Sequence, residues 1–134
     1  MDLHYPKLYI AGPISQGDFQ HNKKQAMEAY HKAMEAKFAT VCPHVTMYLL
    51  ELKGELDWKS FSWKHWLEND LPWVRCADAI FRLPGKSRGG DMEVVLGMES
   101  NVAIYYDMEL LIGDRDLLPR SKSRPPVDHP EFME

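Results

Sequence analysis

Asp78-Ala79-Ile80-Phe81-Arg82-Leu83, followed at once by Pro84-Gly85-Lys86-Ser87-Arg88-Gly89-Gly90-Asp91-Met92-Glu93, decides the fold. The first six residues form an apolar run that reads as a buried strand, and Met92 to Met98 reads as a helix. Strand, small polar loop, helix is the unit from which a parallel α/β sheet is built, and such a sheet binds ligands at the carboxyl ends of its strands. Ser87, Gly89 and Gly90 let backbone N–H groups approach an anion at the helix N-terminus, where the dipole favours negative charge. Glu93, expected in the first turn of that helix, lies one side-chain length from such an anion. A phosphate cradle beside a carboxylate suggests chemistry on the sugar of a nucleotide. The alternative is a surface turn whose acid is placed there by the dipole.

Upstream, Lys7-Leu8-Tyr9-Ile10-Ala11 is a short apolar run ended by Gly12-Pro13, a strand and then a turn. A helix is expected from Asn22, a plausible N-cap, to about Lys37, with Ala26, Met27, Tyr30, Ala33, Met34 and Phe38 at helical spacing. Ala39 to Cys42 is a second strand, stopped by Pro43, with His44 at its carboxyl end. The crossover makes residues 7–42 a parallel βαβ unit. Residues 45–61, with a possible helical turn over Met47 to Leu52, have the length of a lid or substrate loop. From Ser62 a further helix places Trp63, Trp66, Leu67, Asp70 and Val74 on one face, with Pro72 expected to kink or end it. Downstream of the deciding stretch, Val102 to Tyr106 is a fourth strand and Met108 to Ile112 is a short helix or strand. The chain therefore reads as α/β with a parallel sheet of 4–5 strands over residues 1–113, and a charged, proline-rich tail over 114–134.

The composition of the 134 residues, 45% apolar and 27% charged with a net charge of −4, is that of a soluble globular domain. No basic stripe stands out, which argues against a nucleic-acid polymer as partner. Cys42 and Cys76 form no ligand or CxxC pattern, and no His/Cys/Asp cluster has metal spacing, so neither metal nor cofactor is expected. A reduced intracellular, cytoplasmic protein is the simplest reading, with one disulfide left open. No signal peptide or membrane span is evident.

Gly12, His44 and the 84–90 loop each fall at the carboxyl end of a parallel strand, so they can converge on one rim. Glu93 and Asp70 are two acids able to reach it. Paired carboxylates are what cleavage of a glycosidic bond requires, one at the anomeric carbon and the other moving protons. For Asp70 the alternative is a capping residue before the next segment. For His44 it is a strand-end histidine with satisfied bonds. Trp58, Trp63, Trp66 and Trp73 suit core or oligomer contacts better than a base-stacking wall. Asp78 reads as a strand-start residue, Asp91 as the helix's N-terminal acid, Lys23-Lys24 as solvated surface, and the methionines as core filler.

Tyr9-Ile10-Ala11-Gly12-Pro13-Ile14, Pro43-His44, Asn69-Asp70-Leu71, Cys76-Ala77-Asp78 and Leu83 to Glu93 together resemble the nucleoside 2-deoxyribosyltransferase superfamily, in order and spacing, across residues 7–106. The last segment is especially similar to small phage and bacterial members. The resemblance implies a flavodoxin-like (Rossmann-like) three-layer sandwich and a homodimer or larger homo-oligomer with shared active sites. It implies Glu93 as the nucleophile at C1′ and Asp70 as the acid that assists proton transfer or holds the sugar and nucleophile. Tyr9 would crowd the sugar's 2′ side and His44 would line the base side. Gly12 and Ile14 would belong to the substrate loop, and Ser87, Gly89 and Gly90 to the 5′ site. Members acting on free nucleosides carry Asp at position 87, whereas nucleoside 5′-monophosphate N-glycosidases carry Ser. Ser87 therefore implies a monophosphate substrate hydrolysed by water. Base exchange between nucleosides and nucleotide binding without catalysis are the rivals. Pro13 and Ser15 depart from the pattern, standing where the monophosphate glycosidases place Ser and Arg, and Lys86 or Arg88 is a conjectured substitute for that charge.

Overall fold

The computed structural model describes residues 3–45 and 62–120. Four strands, β1 (Lys7–Ala11), β2 (Ala39–Val41), β3 (Ala79–Arg82) and β4 (Ala103–Tyr105), form one wholly parallel sheet in the order β2-β1-β3-β4. Tyr9 stands opposite Val41 on one side and Ile80 on the other, and Ala11 stands opposite Arg82. This is the leading part of the doubly wound 2-1-3-4-5 order, whose switch point lies between β1 and β3. The loops that leave β1 and β3 therefore lie together at the carboxyl end of the sheet, beside the candidate residues.

Alternation along the strands divides the core between two faces. Leu8, Ile10, Ala79 and Phe81 point into one cluster with Ala26, Ala29 and Ala33 of helix α1 (Phe19–Glu35) and Met108 and Leu111 of α4 (Met108–Gly113). Tyr9, Ala11 and Ile80 point into the other, with Val74 of α2 (Trp63–Cys76) and Val94 of α3 (Arg88–Glu99). Strands covered on both faces become continuous apolar runs, which is why these segments read so clearly. The result is the expected α/β three-layer sandwich of flavodoxin-like type. Gly97 lets α3 lie close on the sheet, since a Cβ there would come within 2.2 Å of Ile80 Cδ1.

Several expectations need correction. Helix α1 begins at Phe19, three residues earlier than the sequence suggested, capped by Asp18, whose Oδ1 accepts from the His21 N–H at 3.1 Å. Asn22 is not the cap. It is buried inside the helix and donates through Nδ2 to the carbonyls of Ile14 (3.1 Å) and Gln16 (2.7 Å), so it ties down the loop after β1. The helix stops at Glu35, where Phe38 N–H reaches Ala33 O and Lys37 N–H reaches Met34 O around a left-handed Lys37. Pro72 neither ends nor shortens α2, which continues to Cys76. Its missing N–H would have faced Glu68, four residues back; both residues are exposed, so water can serve the freed carbonyl. Nor do the methionines fill the core as a group. Met108 does, but Met27, Met34, Met92 and Met98 are 40–63% exposed, because their helices turn Ala, Val and Gly positions inward instead.

Residues 114–120 pack on the domain. A 3-10 turn spans Arg115–Leu117, Leu118 enters the main core, and Arg115 donates to the carbonyl of Lys37. Residues 121–134, the possible turn over Met47–Leu52 and Trp58 lie outside the described residues. Trp66 is half-buried and Trp73 is 51% exposed. Asp78 holds the start of β3 to β1, accepting from the Lys7 N–H at 2.8 Å. Among the described residues no helix is long and apolar enough to cross a membrane.

Candidate active site

Helix α3 carries the central feature. Ser87 is its N-cap, with Oγ accepting from the Gly90 N–H at 2.9 Å. Gly90, Glu93, Val94 and Gly97 are the buried residues of the helix and share the stripe that faces the sheet. Glu93 therefore sits in the second turn, six residues past the cap, rather than in the first as the sequence suggested. At 1.5 Å per residue its Cα lies about 9 Å along the axis from the cap. Helical side chains lean back toward the N-terminus, which brings the carboxylate toward the cradle.

Glu93 is 7% exposed and Tyr9, at the middle of β1, is 1% exposed; the Tyr9 hydroxyl donates to Glu93 Oε2. Burial, helped by the neighbouring Asp70, raises the Glu93 carboxyl to about 8 against the opposing Tyr9 hydrogen bond and Arg82. The Tyr9 phenol is driven well above the usual range by burial and then by Glu93 and Asp70. Asp70, half-buried on α2, is also raised by burial, and its Oδ1 accepts from Asn69 Nδ2 at 3.1 Å. Asp70 thus acts on Glu93 across the gap between α2 and α3. Two neighbouring carboxyls, both raised by burial, are the equipment of acid–base and nucleophilic chemistry.

The two loops of the switch point meet beside this pair. Gly12, at φ 156°, has no room for a side chain, since a Cβ would fall 2.6 Å from Leu83 Cβ. A Cβ on Gly90 would meet Ser87 Oγ at 3.0 Å, Arg82 Nε at 3.1 Å and Gly12 Cα at 3.1 Å. Gln16 Oε1 accepts from the Arg88 N–H at 3.0 Å, and Gln25 Nε2 donates to Pro84 O at 2.9 Å, stitching the first loop and α1 to the cradle. The N–H groups of Ser87 and Gly89 have no hydrogen-bond partner among the described residues. Ser87 Oγ, having accepted one bond, still has a proton to donate.

His44 is buried in the helical turn over residues 43–45 that follows β2, not at the strand's own end. Its Nε2 lies 3.0 Å from Pro13 O, which makes Nε2 the protonated nitrogen, and Nδ1 lies 3.7 Å from Cys42 Sγ. Burial lowers it to about 4, so the ring is neutral and braces the loop after β1. Ile14 packs on the α1 side of the core and lends only its carbonyl to Asn22. Tyr9, Gly12, Ser87, Gly89, Gly90 and Glu93 are thus brought together, Asp70 faces them, and Ile14 and His44 support the first loop from behind. Arg82 and Gln16 were passed over by sequence reasoning. For Arg82 a signal existed, namely a cation at the last position of an otherwise apolar strand; for Gln16 there was none. A surface groove of about 450 Å³, lined by Leu71, Arg88, Met92, Val95 and Leu96, runs beside the cradle without including Glu93.

A comparison with curated proteins gives no match. Among solved structures, the chain is similar to the 2-deoxyribosyltransferase of Bacillus psychrosaccharolyticus, at 19% identity over 81% of each chain with a TM-score of 0.57. That likeness is one of fold, and it agrees with the superfamily resemblance carried by the motifs. The model of the family described as "Domain of unknown function (DUF4406)" matches residues 6–106, which hold every candidate residue named above, and the chain belongs to that family.

Proposed function

We propose that this protein hydrolyses the N-glycosidic bond of (2′-deoxy)nucleoside 5′-monophosphates, releasing free base and (deoxy)ribose 5-phosphate. The observation that carries the reading is the buried Glu93 carboxyl, held by Tyr9 on the same face of α3 as Gly90 and six residues past the Ser87 cap. A phosphate at the helix start would present its sugar toward the second turn, where that carboxyl waits. In the first step a Glu93 oxygen bonds to C1′ as the C1′–N bond breaks, and the departing pair takes a proton from Asp70, whose pKa is raised by burial. In the second step water attacks C1′, gives its proton to Asp70, and restores Glu93. The same carboxylate stabilises positive charge on the sugar in each transition state.

Ser87 supports the phosphate. An acid there would repel a dianion, whereas a hydroxyl and the adjacent Ser87 and Gly89 N–H groups favour it. Base exchange is the second reading, favoured by the fold shared with a 2-deoxyribosyltransferase. It differs only in the acceptor that takes the sugar from Glu93. A homo-oligomer is supported by the apolar residues that α3 and α2 leave exposed, Met92, Val95, Met98 and Trp73, 40–63% accessible in the single chain.

Incubation with a panel of ribo- and deoxynucleoside monophosphates and their free nucleosides, read as free base by chromatography, tests the reading. Base release from monophosphates is expected, and its loss in Glu93→Gln. Release from nucleosides alone, or incorporation of an added second base, transfers the assignment to the exchange reaction. Binding without any release leaves a nucleotide-binding protein.

A further inference from the structure

The first loop, Gly12-Pro13-Ile14-Ser15-Gln16-Gly17, contains no cation, and Lys86 and Arg88 are exposed to screening solvent. A site for a phosphate dianion nevertheless needs positive charge. We propose that Arg82 supplies it, as the specificity-determining cation beneath the 84–90 turn that makes the site prefer a phosphorylated sugar.

Arg82 ends β3 with its side chain 7% exposed. Its Nη1 donates to Leu83 O, and its Nη2 donates to Gly85 O and Asp91 Oδ1, each at 3.0 Å. Two consequences follow. The carbonyls of Leu83 and Gly85 are drawn under the turn, so the mouth of the cradle presents N–H groups instead of oxygens. In addition, the guanidinium places its positive charge in surroundings from which water is largely excluded. Its one acidic partner in an ion pair among the described residues, Asp91, is 73% exposed, so solvent weakens the neutralisation. The Nε makes no hydrogen bond among the described residues and lies 3.1 Å from the point where Gly90 would carry a Cβ, next to Ser87 Oγ. The missing side chain at Gly90 is what lets the guanidinium edge, the Ser87 hydroxyl and the Gly12 backbone share one small volume. Arg82 also favours the ionised form of Glu93, opposing the effect that a bound dianion would have on that carboxyl.

This proposal rests on the monophosphate reading, and its test separates the two. Deoxyribose 5-phosphate is a base-independent probe, titrated into wild type, Arg82→Met, Arg82→Lys and Asp91→Asn, with amide chemical shifts reporting both the dissociation constant and the integrity of the fold. Arg82→Met is expected to weaken binding tenfold or more and to flatten its salt dependence, and Arg82→Lys to recover part of the loss. Asp91→Asn removes the partial neutralisation and is expected to tighten binding severalfold. A strut without an electrostatic role predicts the reverse for Asp91→Asn, because the ion pair would be broken. Weaker binding in Asp91→Asn, or unchanged binding in a folded Arg82→Met, overturns the role of Arg82 and leaves the monophosphate reading standing. Wild type that fails to bind the probe overturns both. Asp91 is exposed, so its variant keeps the test decisive even if Arg82→Met does not fold.

Discussion

Replacing Glu93 by Gln should make the protein more stable, by an amount that grows as pH rises from 5 to 8. The carboxyl is raised from 4.5 to about 8 in the folded chain, chiefly by burial. Between those values the folded state holds a proton that the unfolded chain has released, so stability falls as pH rises. The slope approaches about 1.4 kcal/mol per pH unit, and the loss between pH 5 and pH 8 is about 3 kcal/mol. Glutamine imitates the protonated acid, keeps an oxygen for the Tyr9 hydroxyl, and has no proton to lose. The variant and wild type should therefore have similar melting temperatures at pH 5 and separate as pH rises. For a domain of this size each kcal/mol moves the midpoint by about 3 °C, so the gap at pH 8 should be about 10 °C. Differential scanning fluorimetry at half-unit steps of pH measures it. Parallel curves for the two proteins from pH 5 to pH 8 would show that Glu93 is solvated and ionised in the folded state, and the argument for a buried nucleophile would fail.

Tyr9→Phe removes a bond that lowers the Glu93 pKa, worth about 1.5–3 kcal/mol for a charged acceptor, so the acid limb of kcat/KM should move up by about 1–2 units. An unmoved limb in the pH–rate profile would mean that another group sets it. Lys37 holds a left-handed conformation at φ 64° at the end of α1, and Lys37→Gly should add about 1 kcal/mol of stability, read by urea denaturation. Gly12→Ala forces a Cβ onto Leu83 and should cost about 1–3 kcal/mol in the same assay, with loss of base release exceeding what instability explains.

The sheet was legible because strands covered on both faces leave uninterrupted apolar runs at 7–11 and 79–82, and the small-residue loop at 84–90 follows directly. The placement of Ser87 and Glu93 on one helix was legible too, since both are set by the local start of α3. Errors arose where two residues offered the same local chemistry. Asp18 and Asn22 are both capping types four residues apart, and only the tertiary demand of the loop after β1 for two donors assigns Asn22 to the interior. Pro72 misled because propensity describes an isolated helix, whereas α2 is held by packing that an exposed proline does not disturb. Gln16 and Arg82 act across long sequence separations or through backbone carbonyls, neither of which leaves a periodic trace.

A carboxyl that lowers stability across the physiological range needs a reason to remain a carboxyl. For a protein that only binds nucleotides, glutamine at 93 would satisfy Tyr9 and remove the loss. An enzyme has a different interest. With a pKa of about 8, about one molecule in ten carries ionised Glu93 at pH 7, which costs about tenfold in rate. In the proposed hydrolysis, however, the transition state would place positive charge on C1′ beside that group in poorly solvated surroundings, where attraction far exceeds its value in water. Such a site would stabilise the transition state much more than the ground state, which is the condition for acceleration. The two accounts separate in a single variant. If Glu93→Gln is more stable at pH 8 and retains monophosphate binding but releases no base, the acid is kept for chemistry. If it binds and turns over as wild type does, the acid has no such purpose and the glycosidase assignment is lost.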